Sequence, residues 1–330
     1  MKFGETFTEY LETNQGKLME KLCNVEYKRL KKVLKSCRCR ATDDPSKDDG
    51  REEEDFSLCC RCETCPSCDE TFFTELMKEA SDITGCFSAR VRHLLQLHVQ
   101  SKVRRHFILM RCCFASAQQP RTQDCKLLIE YAMMNAVAMR KILKKYDKVH
   151  SSVNGMKFKS RMLSEHMEIL HTPWLIELGA FAMNSKEQNG ENSDEMLNPF
   201  SFDLTTDPKM TLILPDSMKL EYSLTCAICL ELVFNPYALG CGHLFCKGCA
   251  CSAASVMIFE GIKAASPESK CPVCREAGVY NNAVHMMELD LLLKKECKEY
   301  WKERLVADRA ETLKQSKIYW NMQAQYMIGY

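Results

Sequence analysis

Apolar side chains in the first half of the chain recur at turn spacing, with charged residues between them. Leu30, Val33 and Leu34 form one such set, Val91, Leu94, Leu95 and Leu97 a second, and Leu127, Leu128, Tyr131 and Met134 a third. This 3.6-residue period predicts amphipathic helices packed as a bundle from Met1 to about His171. The pattern lapses over residues 37–70, where acidic residues mix with cysteines, so a long insertion between helices is expected there. It lapses again over 184–200, "NSKEQNGENSDEMLNPF", whose polar composition is that of a linker. Beyond it, "KMTLILPDSMKLEYSLTC" alternates as short strands or extended turns around Pro215. A charge-rich helical stretch, with Leu289, Leu292 and Leu293 on one side, occupies 286–325. The fold class predicted is mainly α: a helical N-terminal part, a small α+β part, and a flanking C-terminal helix.

The totals alter this picture in few respects. With 330 residues, 46% of them apolar and 27% charged, the chain can bury two cores. The net charge of +1 averages over local bias, since "YKRLKKVLK" and "RKILKKYDK" are basic whereas "DDPSKDDGREEED" is acidic. The start, "MKFGETFTEYLE", lacks the apolar core of a signal peptide, and no apolar run has transmembrane length. The expected location is intracellular, cytosolic or nuclear. In a reducing compartment, 21 cysteines point to metal ligation more than to disulfides.

Two stretches hold the cysteines. In "CCRCETCPSC", Cys59, Cys62, Cys65 and Cys68 repeat every third residue, but no histidine or second knuckle completes the set. A further zinc sharing Cys37 or Cys39 and a metal-free loop both remain open. Downstream, the ligand-capable residues run Cys226-x2-Cys229-x11-Cys241-x-His243-x2-Cys246-x2-Cys249-x21-Cys271-x2-Cys274. Eight soft ligands in four close pairs saturate two tetrahedral zinc ions and leave no open position for a water nucleophile, so the metals are structural.

This order resembles the RING finger, over about residues 224–278. The resemblance implies interleaved sites, Cys226, Cys229, Cys246 and Cys249 on one ion and Cys241, His243, Cys271 and Cys274 on the other. It also implies docking of a ubiquitin-conjugating enzyme (E2) and its ubiquitin. Ile228 and Pro272 would line the groove, and Arg275 would stand at the linchpin position bridging the two. The ligase would act by positioning, with no catalytic residue and no covalent intermediate of its own. Where many RING fingers carry a tryptophan this chain has Ala253, so the groove is shallower or filled by Met257.

On the helical side, Lys141, Lys144, Lys145 and Lys148 fall at i, i+3, i+4 and i+7, one helix face. Like charges at that spacing repel, so the face is either solvated or built for an anion. Tyr27 and Lys31 offer a second basic face. "MKFGETF", "EYKRLKKVLK" and "RKILKKYDKVH" resemble the three blocks of an SPX domain, over residues 1–171. That resemblance implies an inositol polyphosphate ligand, with Lys2, Tyr27, Lys31 and Lys141 at a central site and Lys144, Lys145 and Lys148 on the adjoining surface.

An SPX domain followed by a RING finger resembles the plant family of the nitrogen limitation adaptation protein, the BAH-type RING ligases. The family implies ubiquitination of phosphate transporters or other membrane proteins. Nucleic acid is not an expected partner, because aromatics are scarce among the lysines and no paired C-x2-C and H-x3-H finger occurs. The C-terminal helix either supports a homodimer or packs on the zinc module. The rival reading of the whole chain is a non-catalytic adaptor.

Overall fold

The computed structural model describes residues 3–13, 22–36, 66–108, 119–186, 199–205 and 207–328. Lys2 and the cysteines at 37, 39, 59, 60, 62 and 65 lie outside them. The chain divides into two compact units, Met1–Thr172 and Pro173–Tyr330.

The first unit contains five α-helices among the described residues: α1 (Phe3–Thr13), α2 (Tyr27–Ser36), α3 (Pro66–Ile108), α4 (Gln119–His150) and α5 (Asn154–Ser164). The insertion expected over 37–70 ends earlier, because α3 starts at Pro66, a residue whose fixed φ and missing N–H suit a first helical position. Cys68 is therefore a helix residue. Along α3, Phe72, Leu76, Ala80, Ile83, Phe87, Val91 and Leu94 are all buried at spacings of three and four. They face Leu128, Tyr131, Ile142 and Tyr146 of α4, which are equally buried. Truncating a large member such as Leu76 to alanine costs about 2–5 kcal/mol.

Two polar fixtures set the register of this core. Asn135, buried on α4, accepts a hydrogen bond from the N–H of Val25 (2.9 Å) and donates to the carbonyl of Tyr131 (2.9 Å) and to Asn24 (3.1 Å), so it pins the lead-in to α2. Asp147, near the end of α4, accepts from the N–H groups of Gly155 (2.7 Å) and Met156 (3.2 Å), caps α5 and folds it back onto α4. A Cβ on Gly155 would lie 2.7 Å from the Leu143 carbonyl, so this approach requires glycine.

The second unit opens with α6 (Pro173–Lys186) and a three-stranded antiparallel sheet of β1 (Phe200–Asp203), β2 (Lys209–Ile213) and β3 (Lys219–Ser223), in the order β1-β2-β3. The β2–β3 hairpin turns at Pro215, with Met210 opposite Tyr222 and Leu212 opposite Leu220. Gly179 of α6 admits the ring of Phe200, to which a Cβ would approach within 2.9 Å. The expected linker is shorter than 184–200 at both ends, since α6 runs to Lys186 and β1 begins at Phe200.

A second small sheet follows, β4 (Pro236–Ala238), β5 (Leu244–Cys246) and β6 (Val284–His285), in the order β5-β4-β6, with α7 (Lys247–Ala253) after β5. The C-terminal helix is two helices, α8 (Met287–Glu296) and α9 (Lys298–Ile328). Cys297 departs from helical geometry between them (φ −120°, ψ 57°), and beyond the bend Trp301 stands half-buried. There its indole donates to Asp290 (3.2 Å), its ring lies 5.6 Å from Phe234, and Lys294 Nζ sits 4.5 Å above it.

Candidate metal centres and the surface they present

The spacing of the downstream ligands places each C-x2-C pair in one tight turn. In the first, the N–H of Leu230 bonds the carbonyl of Cys226 (2.8 Å), and the N–H of Cys226 bonds the carbonyl of Glu231 (2.8 Å). In the last, Arg275 and Cys271 repeat the first bond (2.9 Å), and Cys271 and Glu276 repeat the second (2.9 Å). Leu230 (φ 59°) and Arg275 (φ 62°) both occupy the left-handed region. The two knuckles are thus copies of one backbone design, each a single tight turn around a sulfur pair that ends in an exposed residue.

The donors gather into two sets. Cys226, Cys229, Cys246 and Cys249 bring their sulfurs within 4.8 Å of one another, and Cys241, His243, Cys271 and Cys274 do the same. Knuckles far apart in sequence alternate between the sets, which is the cross-braced pairing. The His243 Nδ1 lies 3.3 Å from Cys241 Sγ and 3.7 Å from Cys271 Sγ, so this nitrogen faces the sulfurs. Gly242, at φ 83°, permits the turn that puts Cys241 and His243 on one set.

Four thiols this close cannot ionise together. In the first set, hydrogen bonds from Cys246 and Cys249 hold the Cys226 thiol far below its ordinary range. The same proton-sharing with Cys226 pushes Cys246 well up and Cys249 up to about 12. In the second set, burial raises Cys241. A divalent cation bound by the thiolates resolves this conflict, because its charge replaces the shared protons. A further N–H, from Phe234, donates to Cys246 Sγ (3.2 Å), the outer-layer support expected of a thiolate ligand. Two four-donor sets of cysteine and histidine alone fit zinc.

Around the metal sets the surface is partly apolar. Ile228 is 39% exposed and Leu230 77% exposed on the first knuckle, while Pro272, Val273 and Arg275 are exposed on the last. Leu230 was not among the residues expected from sequence. Its equivalence to Arg275 in the duplicated knuckle is the signal that singles it out. Ala253 is exposed at the end of α7, and Met257 is half-buried beyond it.

On the helical unit, the expected basic residues divide between surface and core. Lys144 and Lys148 are exposed and Lys141 and Lys145 half-buried on α4, opposite Ile142, Leu143 and Tyr146 in the core. Tyr27 is a core residue, its ring 5.4 Å edge-on from Phe3 and 6.2 Å from Phe7. Burial raises its phenol. Lys141 Nζ lies 4.4 Å over that same Phe3 ring, so α1 holds Tyr27 and Lys141 to one aromatic. Lys31 stands half-buried one turn after Tyr27.

A RING-type zinc-finger family profile matches residues 226–266. Over the full length of both chains, the sequence is 57% identical to a protein of Arabidopsis thaliana named probable E3 ubiquitin-protein ligase BAH1-like. It is 53% identical to the rice BAH1-like 1 protein and 43% identical to the Arabidopsis E3 ubiquitin-protein ligase NLA, again over whole chains. The chain belongs to the BAH1-like family of E3 ubiquitin-protein ligases. Human TRIM22 is 43% identical across 56 residues, 17% of this BAH1-like chain. No helix among the described residues is long and apolar enough to cross a membrane.

Proposed function

We propose that this chain is a RING-type E3 ubiquitin ligase that holds an E2-bound ubiquitin for attack by a substrate lysine. The observation that carries the reading is the duplicated knuckle, two closed four-ligand sets whose turns end in outward-facing Leu230 and Arg275. Cys226, Cys229, Cys246 and Cys249 would hold one zinc and Cys241, His243, Cys271 and Cys274 the other. Each set has its four ligands, so the ions supply shape.

Ile228, Leu230 and Pro272 offer apolar contact to the E2. Arg275, with five donors on a planar group, can bridge E2 and ubiquitin at once. In the transfer, the substrate amine attacks the thioester carbonyl, an isopeptide bond forms, the E2 thiolate leaves and the amine gives up a proton. The ligase contributes orientation to this step.

In the helical unit we infer an SPX domain that binds inositol polyphosphate through Lys2, Tyr27, Lys31, Lys141, Lys144, Lys145 and Lys148. The outward lysine face of α4 and the Phe3 ring shared by Tyr27 and Lys141 support this reading. Membrane phosphate transporters are the substrates this family reading favours, at the cytosolic face of the membrane.

The test is autoubiquitination with a panel of E2 enzymes, with and without inositol hexakisphosphate. Chains should form with at least one E2 and fall at least tenfold in Arg275→Ala, with zinc content unchanged. No chains with any E2, or full activity in the variant, overturns the ligase mechanism. Calorimetry on Lys145→Ala and Tyr27→Phe should show weakened inositol polyphosphate binding, and equal affinity would reduce the lysines to a solvated face.

A further inference from the structure

One face of α9 is committed to its own unit. Tyr300 donates to the Leu232 carbonyl (2.6 Å), Arg304 pairs with Glu231, Gln315 accepts from the Ile258 N–H (3.0 Å), and Tyr319 meets Phe259 edge-on (5.4 Å). The opposite face carries Val306, Leu313, Trp320 and Met327, seven residues apart, and they are 67%, 64%, 65% and 87% exposed. Ala310, Lys317 and Ala324, also exposed, fall four residues after the first three of these. This is a heptad seam, continuous over roughly 32 Å of helix at 1.5 Å per residue. So large an apolar stripe on a soluble surface marks an interaction site.

The seam is complementary to itself in one orientation. From Ile318 to the end, the chain carries no charged residue, whereas Lys298 to Lys317 is dense in them. Parallel helices would set Lys317 against Lys317 and Arg309 beside Lys314. Antiparallel helices lay the charged half of one along the neutral half of the other. The layers then match by size: Ala310 meets Trp320, Ala324 meets Val306, and the aliphatic stem of Lys317 covers Leu313, each pair occurring twice about a two-fold axis.

We propose that the exposed face of α9 binds the same face of a second copy of this chain as an antiparallel two-helix seam. The opposite face of α9 grips the first zinc knuckle, so the dimer would carry one zinc module on each flank of the seam. Only Lys314 meets its own copy across the axis, so added salt should tighten the association.

Sedimentation of the full-length protein tests this directly. A dimer at low micromolar concentration, tighter at 500 mM than at 50 mM salt, is expected. Leu313→Glu and Trp320→Glu, each at a site exposed in the single chain, should weaken it at least 100-fold, with zinc content and melting temperature unchanged. A photo-crosslinking benzoylphenylalanine in place of Trp320 should attach to the tryptic peptide 310–314 of the other copy. A monomer at 50 µM, a dimer that survives both glutamates, or attachment to the peptide that contains position 320 overturns the proposal.

Discussion

Arg304 Nη1 lies 2.6 Å from Glu231 Oε2, and Arg304 Nη2 lies 3.9 Å from Cys246 Sγ, so one guanidinium of α9 braces a zinc knuckle and approaches a ligand of the same metal set. With Tyr300 bonded to the next carbonyl, at Leu232, α9 holds the segment that leaves the first knuckle. Arg304→Ala should lower ligase output several-fold while costing only about 0.5–1 kcal/mol in stability, because the pair is partly exposed. Ubiquitination assays beside thermal melts separate the two effects. An unchanged output would leave Arg304 with no role beyond packing.

Removing a ligand has a different signature. Cys229→Ala takes one thiolate from the first set and should release one of two zinc ions, leaving the second set filled. Metal analysis of the purified variant counts them. Retention of both ions would show that Cys229 is not a ligand.

Asn135 supports a prediction confined to the helical unit. Asn135→Ala strands the buried Val25 N–H and should cost about 1–3 kcal/mol, read as a shift in the urea midpoint. A shift below 0.5 kcal/mol would mean that water replaces the amide.

The carboxyl of Glu177 on α6 is buried, and its oxygens accept from the N–H groups of Glu288 (2.7 Å) and Leu289 (3.1 Å) at the start of α8. Burial outweighs these bonds and pushes its pKa up to about 8 from an ordinary 4.5. The folded state therefore binds the proton more tightly. The stability this contributes is complete below about pH 4.5 and is lost as pH rises through about 8. Melting temperatures of wild type and Glu177→Gln should diverge across that window, wild type losing ground as pH rises. Parallel curves would show that the carboxylate is ionised throughout.

The zinc centres were legible because ligand chemistry fixes residue type and spacing together: the Cys241-Gly-His243 step and four tight pairs admit few other arrangements. The core of α3 was legible only in part from Val91, Leu94 and Leu95, yet its stripe extends back to Phe72. Helix α6 was not anticipated. "PWLIELGAFAM" is apolar on every side, so it has no period to read, and the structure buries Leu175, Ile176, Leu178 and Phe181 at once. The break at Cys297 was equally hidden. The charges of α8 and α9 continue across it, and only Trp301's distant partners, Phe234 and Asp290, explain the bend. Spacing put Tyr27 on a basic face, and it did not show that the ring packs in the core against Phe3 and Phe7.

The lysine above Phe3 bears on how tightly an anion could be held. A free lysine side chain gives up nearly 2 kcal/mol of rotational freedom when it is fixed. Lys141 rests on an aromatic ring that also steadies Tyr27, so much of that ordering is complete before any ligand arrives. An incoming polyanion would find one of its ammonium groups already in place and would have to arrest only the others.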